Sequence, residues 1–230
     1  MKNENSLASD TRLISKEVMI GAMKASFGMV PVIGAALDEI FFEVGNRIKA
    51  NRFEIFVYEL AISLKSIEEN MISQDYLASE EFYDIVNGTI KASIETNQKN
   101  KHLIFANIIK YSILNKSLYE EDLINIFIKW TNELSINHIL ILKFIIENFE
   151  IISKIYSMLE LRDVFTEKCS VSIEEYEFQM YVLDLNRYSI IRVSKDVEEF
   201  GGGSGYTMAD EGADGFLITV VGSKYATFLS

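Results

Sequence analysis

A single proline, Pro31, stands among 230 residues. Proline removes a backbone donor and breaks helices from within. A chain that does almost without it can run in long helices, and it lacks the proline-bearing turns of a loop-rich β fold. The composition agrees, since 49% hydrophobic and 24% charged residues are proportions that can bury a real core. Apolar residues at three- and four-residue steps then predict amphipathic helices. They recur at Phe53, Phe56, Leu60 and Leu64, at Phe82, Ile85-Val86 and Ile90, at Leu103-Ile104, Ile108 and Tyr111, and at Leu123, Ile126-Phe127 and Trp130.

These patterns divide the chain into three stretches. Residues 1–52 read as a helical hairpin, residues 53–133 as a helical bundle, and residues 134–230 as a winged-helix-like unit. In the first stretch Ala25–Leu37 runs thirteen residues without a charge, short of the roughly 18 that span a bilayer. Pro31 suits the first turn of a helix, so the reading is helix, a tight Gly28-Met29-Val30-Pro31 break, and helix. Gly28, Val30, Pro31, Ile33, Gly34 and Leu37 are the candidate interaction residues of this hairpin, for docking to a protein partner or inserting into a membrane surface. A buried hairpin, with small residues letting backbones approach, is the plainer reading of the same stretch.

The last stretch has the order of a winged helix. Ser135 is placed to cap a very apolar helix, Ile136–Phe149. A second helix is expected over Ser153–Phe165. Ser172-Ile173-Glu174-Glu175 has the form of a capping box opening a third helix, where a recognition helix would stand. Ile190–Val193 and Phe216–Val220 read as short strands on either side of a glycine-rich segment, Glu198–Gly215. A terminal helix over Gly222–Leu229 should turn Tyr225 and Phe228 inward. The predicted fold is therefore mostly α, a multi-helix bundle followed by an α+β unit with a small β wing.

Charge and chemistry narrow the function. The chain carries 22 Lys/Arg against 34 Asp/Glu, a net −12, and from Glu174 onward four Lys/Arg face ten Asp/Glu. DNA readers present a basic stripe, so nucleic acid is disfavoured as a partner. The alternative reading, a winged-helix DNA-binding transcription regulator, would rest on Gln179, Asn186 and Arg187 of the third helix. The two histidines, His102 and His138, have no second His or Cys at helical spacing and read as satisfied or surface residues. Cys169 lies ahead of the third helix without a histidine near it in sequence, and reads as an incidental thiol.

Gly201–Gly205 lies between strands and lacks the Lys-Ser/Thr of a phosphate loop. Asp210, Glu211 and Asp214 read as solvated acids, and Glu80-Glu81 and Glu120-Glu121 as helix-start acids favoured by the dipole. No set of residues meets the needs of acid–base or nucleophilic catalysis. A non-enzymatic protein with no metal and no cofactor is expected. Without a signal-peptide pattern at the start, and with one cysteine, the expected location is the cytoplasm, with peripheral membrane contact through the hairpin.

Phe105-Ala106-Asn107-Ile108-Ile109, the Leu134-Ser135 start followed by Ile141-Leu142, and the tail Leu183–Ile191 with Ile218-Thr219-Val220-Val221-Gly222-Ser223-Lys224-Tyr225 together resemble the bacterial abortive-infection alpha-type proteins. The resemblance covers about residues 80–230 as an ordering of short motifs. It implies a role in phage defence through protein contacts or self-association, and assigns no catalytic or binding residue. Tyr188-Ser189 departs from the Asn-Gly type of turn that many winged helices place before the strand.

Overall fold

The computed structural model describes residues 31–43, 47–65, 67, 73–114, 120–193 and 215–229. The chain is mostly helical with a small antiparallel sheet near its C-terminus. It forms two compact units, Met1–Glu133 and Leu134–Ser230.

The first unit is all helix among the described residues. Pro31 opens α1 (Pro31–Glu43), at the position where a missing N–H costs nothing. Ile33, Ala36, Leu37 and Ile40 of α1 form a buried stripe at helical spacing, and the helix packs on α4 (Glu80–Glu95). Between them come α2 (Arg47–Leu64) and the single turn α3 (Gln74–Leu77). α2 runs unbroken through residues 52 and 53, where the sequence reading divides hairpin from bundle.

Ser79 caps α4, its Oγ accepting from Phe82 N at 3.2 Å and donating to the Tyr76 carbonyl at 2.7 Å. The bundle is completed by α5 (Lys99–Leu114) and α6 (Glu121–Glu133). α2 packs on α4 and α5, and α6 packs on the same two helices. Phe56, Phe82, Phe105 and Phe127 fill the centre.

Two polar links cross this core. Ser63 Oγ donates to Asn107 Oδ1 at 3.2 Å. Lys101, buried at 3% exposure, reaches the Asn132 carbonyl at 2.8 Å, so a buried ammonium satisfies an otherwise orphan acceptor at the end of α6. On α6 the inward residues are Ile124, Phe127, Ile128, Trp130 and Thr131, whereas Ile126 faces solvent. The stripe is thus rotated from the one the sequence suggests, because Ile124 and Ile128 take the inner positions.

The second unit starts at Leu134. α7 (Ile136–Glu147) has Ser135 as its cap. Its capping box is closed by His138, whose Nδ1 accepts from Ser135 N at 3.0 Å. The turn α8 (Phe149–Ile152) follows, then α9 (Met158–Cys169), capped by Ser157. The helix expected from Ser153 therefore starts later, since Ile152 and Ile155 are drawn into the core from the intervening turn. α10 (Glu175–Arg187) begins without a side-chain cap. The Ser172 capping box does not form, because Ile173 is buried and holds this approach outside the helix.

α10 ends in a Schellman motif. Ile190 N donates to the Leu185 carbonyl at 3.0 Å and Ser189 N to the Asn186 carbonyl at 2.8 Å, with Ser189 at φ 57°. β1 (Ile191–Val193) and β2 (Phe216–Ile218) pair antiparallel, Ile191 opposite Ile218 and Val193 opposite Phe216. Thr219 and Val220, expected to continue the second strand, instead cap and open α11 (Val220–Ala226), which ends in a 3₁₀ turn, Thr227–Leu229. Tyr225 and Phe228 are fully buried.

Candidate functional site

α10 is apolar on two sides. Phe178, Val182 and Leu185 are fully buried, and Phe178 meets Phe165 of α9 at 5.5 Å between ring centres. Tyr176, Met180 and Leu183 repeat the same i, i+4, i+7 spacing on the other side and remain 70%, 49% and 42% exposed. With Gln179, Asp184 and Arg187 they line a shallow surface groove of about 420 Å³. One apolar stripe suffices to dock a helix on its own core. The second stripe is left in solvent and bordered by charge.

The helix is fixed in orientation by its neighbours. His138 Nε2 lies 3.4 Å from Asp184 Oδ2, and the His138 ring stands edge-on to Tyr181 at 4.7 Å. Asn137 Nδ2 donates to Tyr181 Oη at 3.2 Å, and Arg162 of α9 reaches Glu175 at 3.7 Å. Of the charges around the groove, Asp184 is paired with Arg187 and Glu175 with Arg162, while Glu174 and Glu177 lie close to Tyr176 and give its end of the groove an acidic border. The Glu177 carboxylate, with partial burial second, holds the Tyr176 phenol above its ordinary range.

The three residues a DNA reader would use are otherwise engaged. Asn186 Oδ1 accepts from Val193 N at 3.2 Å, tying α10 to β1. Arg187 is paired with Asp184, and Gln179 Nε2 lies 3.5 Å from Glu175 Oε1.

The hairpin candidates separate. Gly28 and Val30 lie outside the described residues. Pro31 begins α1, Ile33 and Leu37 are buried against the bundle, and Gly34 is half-buried. No helix among the described residues is long and apolar enough to cross a membrane. Of the glycine-rich segment Glu198–Gly215, all but Gly215, and so Asp210, Glu211 and Asp214, also lies outside them.

Among the described residues no three His, Cys, Asp or Glu side chains gather as a metal would need. Cys169 ends α9 and is exposed, five residues short of α10. Partial burial of its sulfur, then the Glu147 carboxylate, push its thiol up, which disfavours the nucleophilic thiolate. His138 is hydrogen-bonded on both ring nitrogens. His102 is 1% exposed, with its Nδ1 3.3 Å from the Lys99 carbonyl and backbone carbonyls, that of Ser93 among them, against the ring.

The outer stripe of α10 was within reach of sequence reasoning. Tyr176-Met180-Leu183 and Phe178-Val182-Leu185 carry the same period, and a helix apolar on two sides has one more apolar side than its own core uses. No family model, curated protein or solved structure matches the chain.

Proposed function

We propose that the chain is a non-enzymatic factor that works by protein contact, and that α10 supplies the contact. Its partner is an amphipathic helix carrying an apolar seam flanked by Lys and Arg. The observation behind this is the exposed Tyr176–Met180–Leu183 stripe set in an acidic surround, on the helix that in a DNA reader would be basic. Helix-in-groove recognition uses anchors at this spacing, and the acidic rim selects a basic partner and speeds its approach. The setting carried over from the resemblance is bacterial phage defence of the abortive-infection kind.

Covering three side chains that are between two-fifths and seven-tenths exposed contributes on the order of 3 kcal/mol. A micromolar complex needs about 8 kcal/mol. The acidic rim must therefore contribute, and binding should weaken with salt.

The test uses the full chain, a Leu/Lys amphipathic helical peptide, and a Leu/Glu peptide of the same pattern. Binding of the Leu/Lys peptide alone, lost in Met180→Asp with Leu183→Asp while the melting curve is unchanged, supports the reading. Equal binding of both peptides, or binding that survives the double substitution, sinks it. Salt-sensitive retention on duplex DNA would replace it with the regulator reading. In a host challenged with phage, the same double variant should lose any protection that the parent chain confers.

A further inference from the structure

We propose that α2 pairs with α2 of a second copy of this chain, the two helices running antiparallel about a twofold axis. α2 buries Phe53, Phe56, Val57 and Leu60 in the bundle. At 3.6 residues per turn, the opposite side of the helix carries Ile48, Asn51, Ile55, Tyr58 and Ile62, at alternating steps of three and four. That spacing is the seam of a coiled coil, held over two heptads, on the side that the bundle does not use. Ile48, Tyr58 and Ile62 are 61%, 53% and 44% exposed, and Ile55 is half-buried.

The charges beside the seam choose its occupant. The N-terminal half borders a cleft of about 570 Å³ lined by Arg47, Arg52, Asn97 and Lys99, together with Ile48, Asn51 and Ile55 of the seam, and no acidic side chain lines it. The C-terminal half has Glu59 on the edge that Arg52 occupies one heptad earlier. A helix whose two halves differ in sign along one edge complements its own copy once that copy is reversed.

The two directions can be compared pair by pair. Laid parallel, two copies set Arg52 beside Arg47 of the other copy and Glu59 beside Glu54, like charges in both heptads. Laid antiparallel, Arg52 meets Glu59 of the other copy, Ile55 meets Tyr58 and Asn51 meets Ile62, each twice by symmetry. Lys65, beyond the end of α2, comes near Arg47 of the other copy, an adverse pair at the rim. Arg52 is already oriented for its role, since Nη1 donates to the carbonyls of Ile94 and Glu95 at 3.2 and 2.8 Å. A guanidinium has five N–H donors, more than these two carbonyls take up.

A seam of about four turns is small against the roughly 1,200–2,000 Å² of a stable interface. The dimer is therefore a weak one, set by concentration, with its direction fixed by the edge charges. It shares no residue with the α10 groove, so the two proposals stand or fall separately.

The experiment follows the mass of the full chain by sedimentation from about 1 μM to about 1 mM, at low and at high salt. The parent should pass from one chain toward two, and the association should weaken with salt. Glu59→Arg sets like charges along the edge and should weaken association about tenfold, and Arg52→Glu should do the same. An equimolar mixture of these two variants brings opposite charges back to both contacts, and should associate more tightly than either variant alone. Because Arg52 also anchors the end of α4, Ile62→Asp provides a test that leaves that anchor in place. It should abolish association with the melting curve unchanged. A parent that stays a single chain up to about 1 mM would overturn the proposal, as would a dimer that survives Ile62→Asp or Glu59→Arg. Association lost in Met180→Asp with Leu183→Asp but kept in Glu59→Arg would also overturn it, and would move self-association to α10.

Discussion

Gly222 and Gly88 both sit in helices, yet replacing each with alanine should change stability in opposite directions. A Cβ on Gly222 would lie 1.9 Å from the Ile190 carbonyl oxygen and 2.8 Å from its carbon, so backbone must yield. Opening this approach to ordinary contact breaks what crosses it. Thr219 N donates to the Ile190 carbonyl at 3.1 Å, Thr219 Oγ1 donates to the Ser189 carbonyl at 2.6 Å, and the same Oγ1 caps α11 through Gly222 N at 2.8 Å. Two or three hydrogen bonds at about 1 kcal/mol each, plus about 1–3 kcal/mol of overpacking beside buried Tyr225 and Phe228, outweigh the gain of about 1 kcal/mol in helix propensity. The net loss should be about 3 kcal/mol.

At Gly88 in α4 an added Cβ meets nothing within 4 Å, so only the propensity gain of about 1 kcal/mol remains. Two units can unfold separately, so the assay is amide hydrogen exchange read by segment. Gly222→Ala should accelerate exchange at 189–193 and 216–229, and Gly88→Ala should slow it across α4. A Gly222→Ala chain as stable as its parent would refute the close approach, and a destabilised Gly88→Ala chain would refute the space around α4.

Further outcomes follow from the same contacts. Ser189→Gly should stabilise the second unit by about 1 kcal/mol, because φ 57° costs an L-residue what glycine does not pay; a denaturant midpoint that does not rise would count against it. Ser135→Ala removes both hydroxyl links to His138 and should cost about 1 kcal/mol, visible as faster exchange in the first turn of α7. Ile33→Ala should cost about 2–5 kcal/mol by chemical denaturation, and an unaffected midpoint would mean that α1 is not packed on the bundle.

Burial first, and Arg52 among lesser causes, push the His102 imidazole below its ordinary range while nearby backbone carbonyls oppose the shift. The unfolded chain therefore takes up a proton near pH ~6.5 that the native chain refuses. Stability should be level above that pH and fall as pH drops below it. His102→Gln should flatten the dependence, and a parent curve that rises toward acid would show the sign to be wrong.

What the sequence disclosed was mostly local. Pro31 opens a helix, Ser135 caps one, and Tyr225 with Phe228 packs inward; each is dictated by neighbours within a turn or two. Local signals failed where burial of one side chain overruled them. Ile173 defeats the Ser172 box, and Ile155 in the turn after α8 moves the helix start from Ser153 to Ser157. The α10 groove was half legible, since its spacing is in the sequence but which stripe faces out depends on Phe165 and β1. The cleft lined by Arg47, Arg52, Asn97 and Lys99 was not legible at all, because it gathers residues some fifty positions apart in the chain.

The pairing of Val193 with Phe216 makes the second unit a natural host for grafted sequence. A facing pair in an antiparallel ladder holds its backbones about 5 Å apart, so the two ends that a graft would have to meet lie side by side. Doubling the length of a flexible connection between such anchors costs only about 0.6 kcal/mol. An epitope or a reporter joined between β1 and β2 would be presented from two three-residue strands whose register is already fixed.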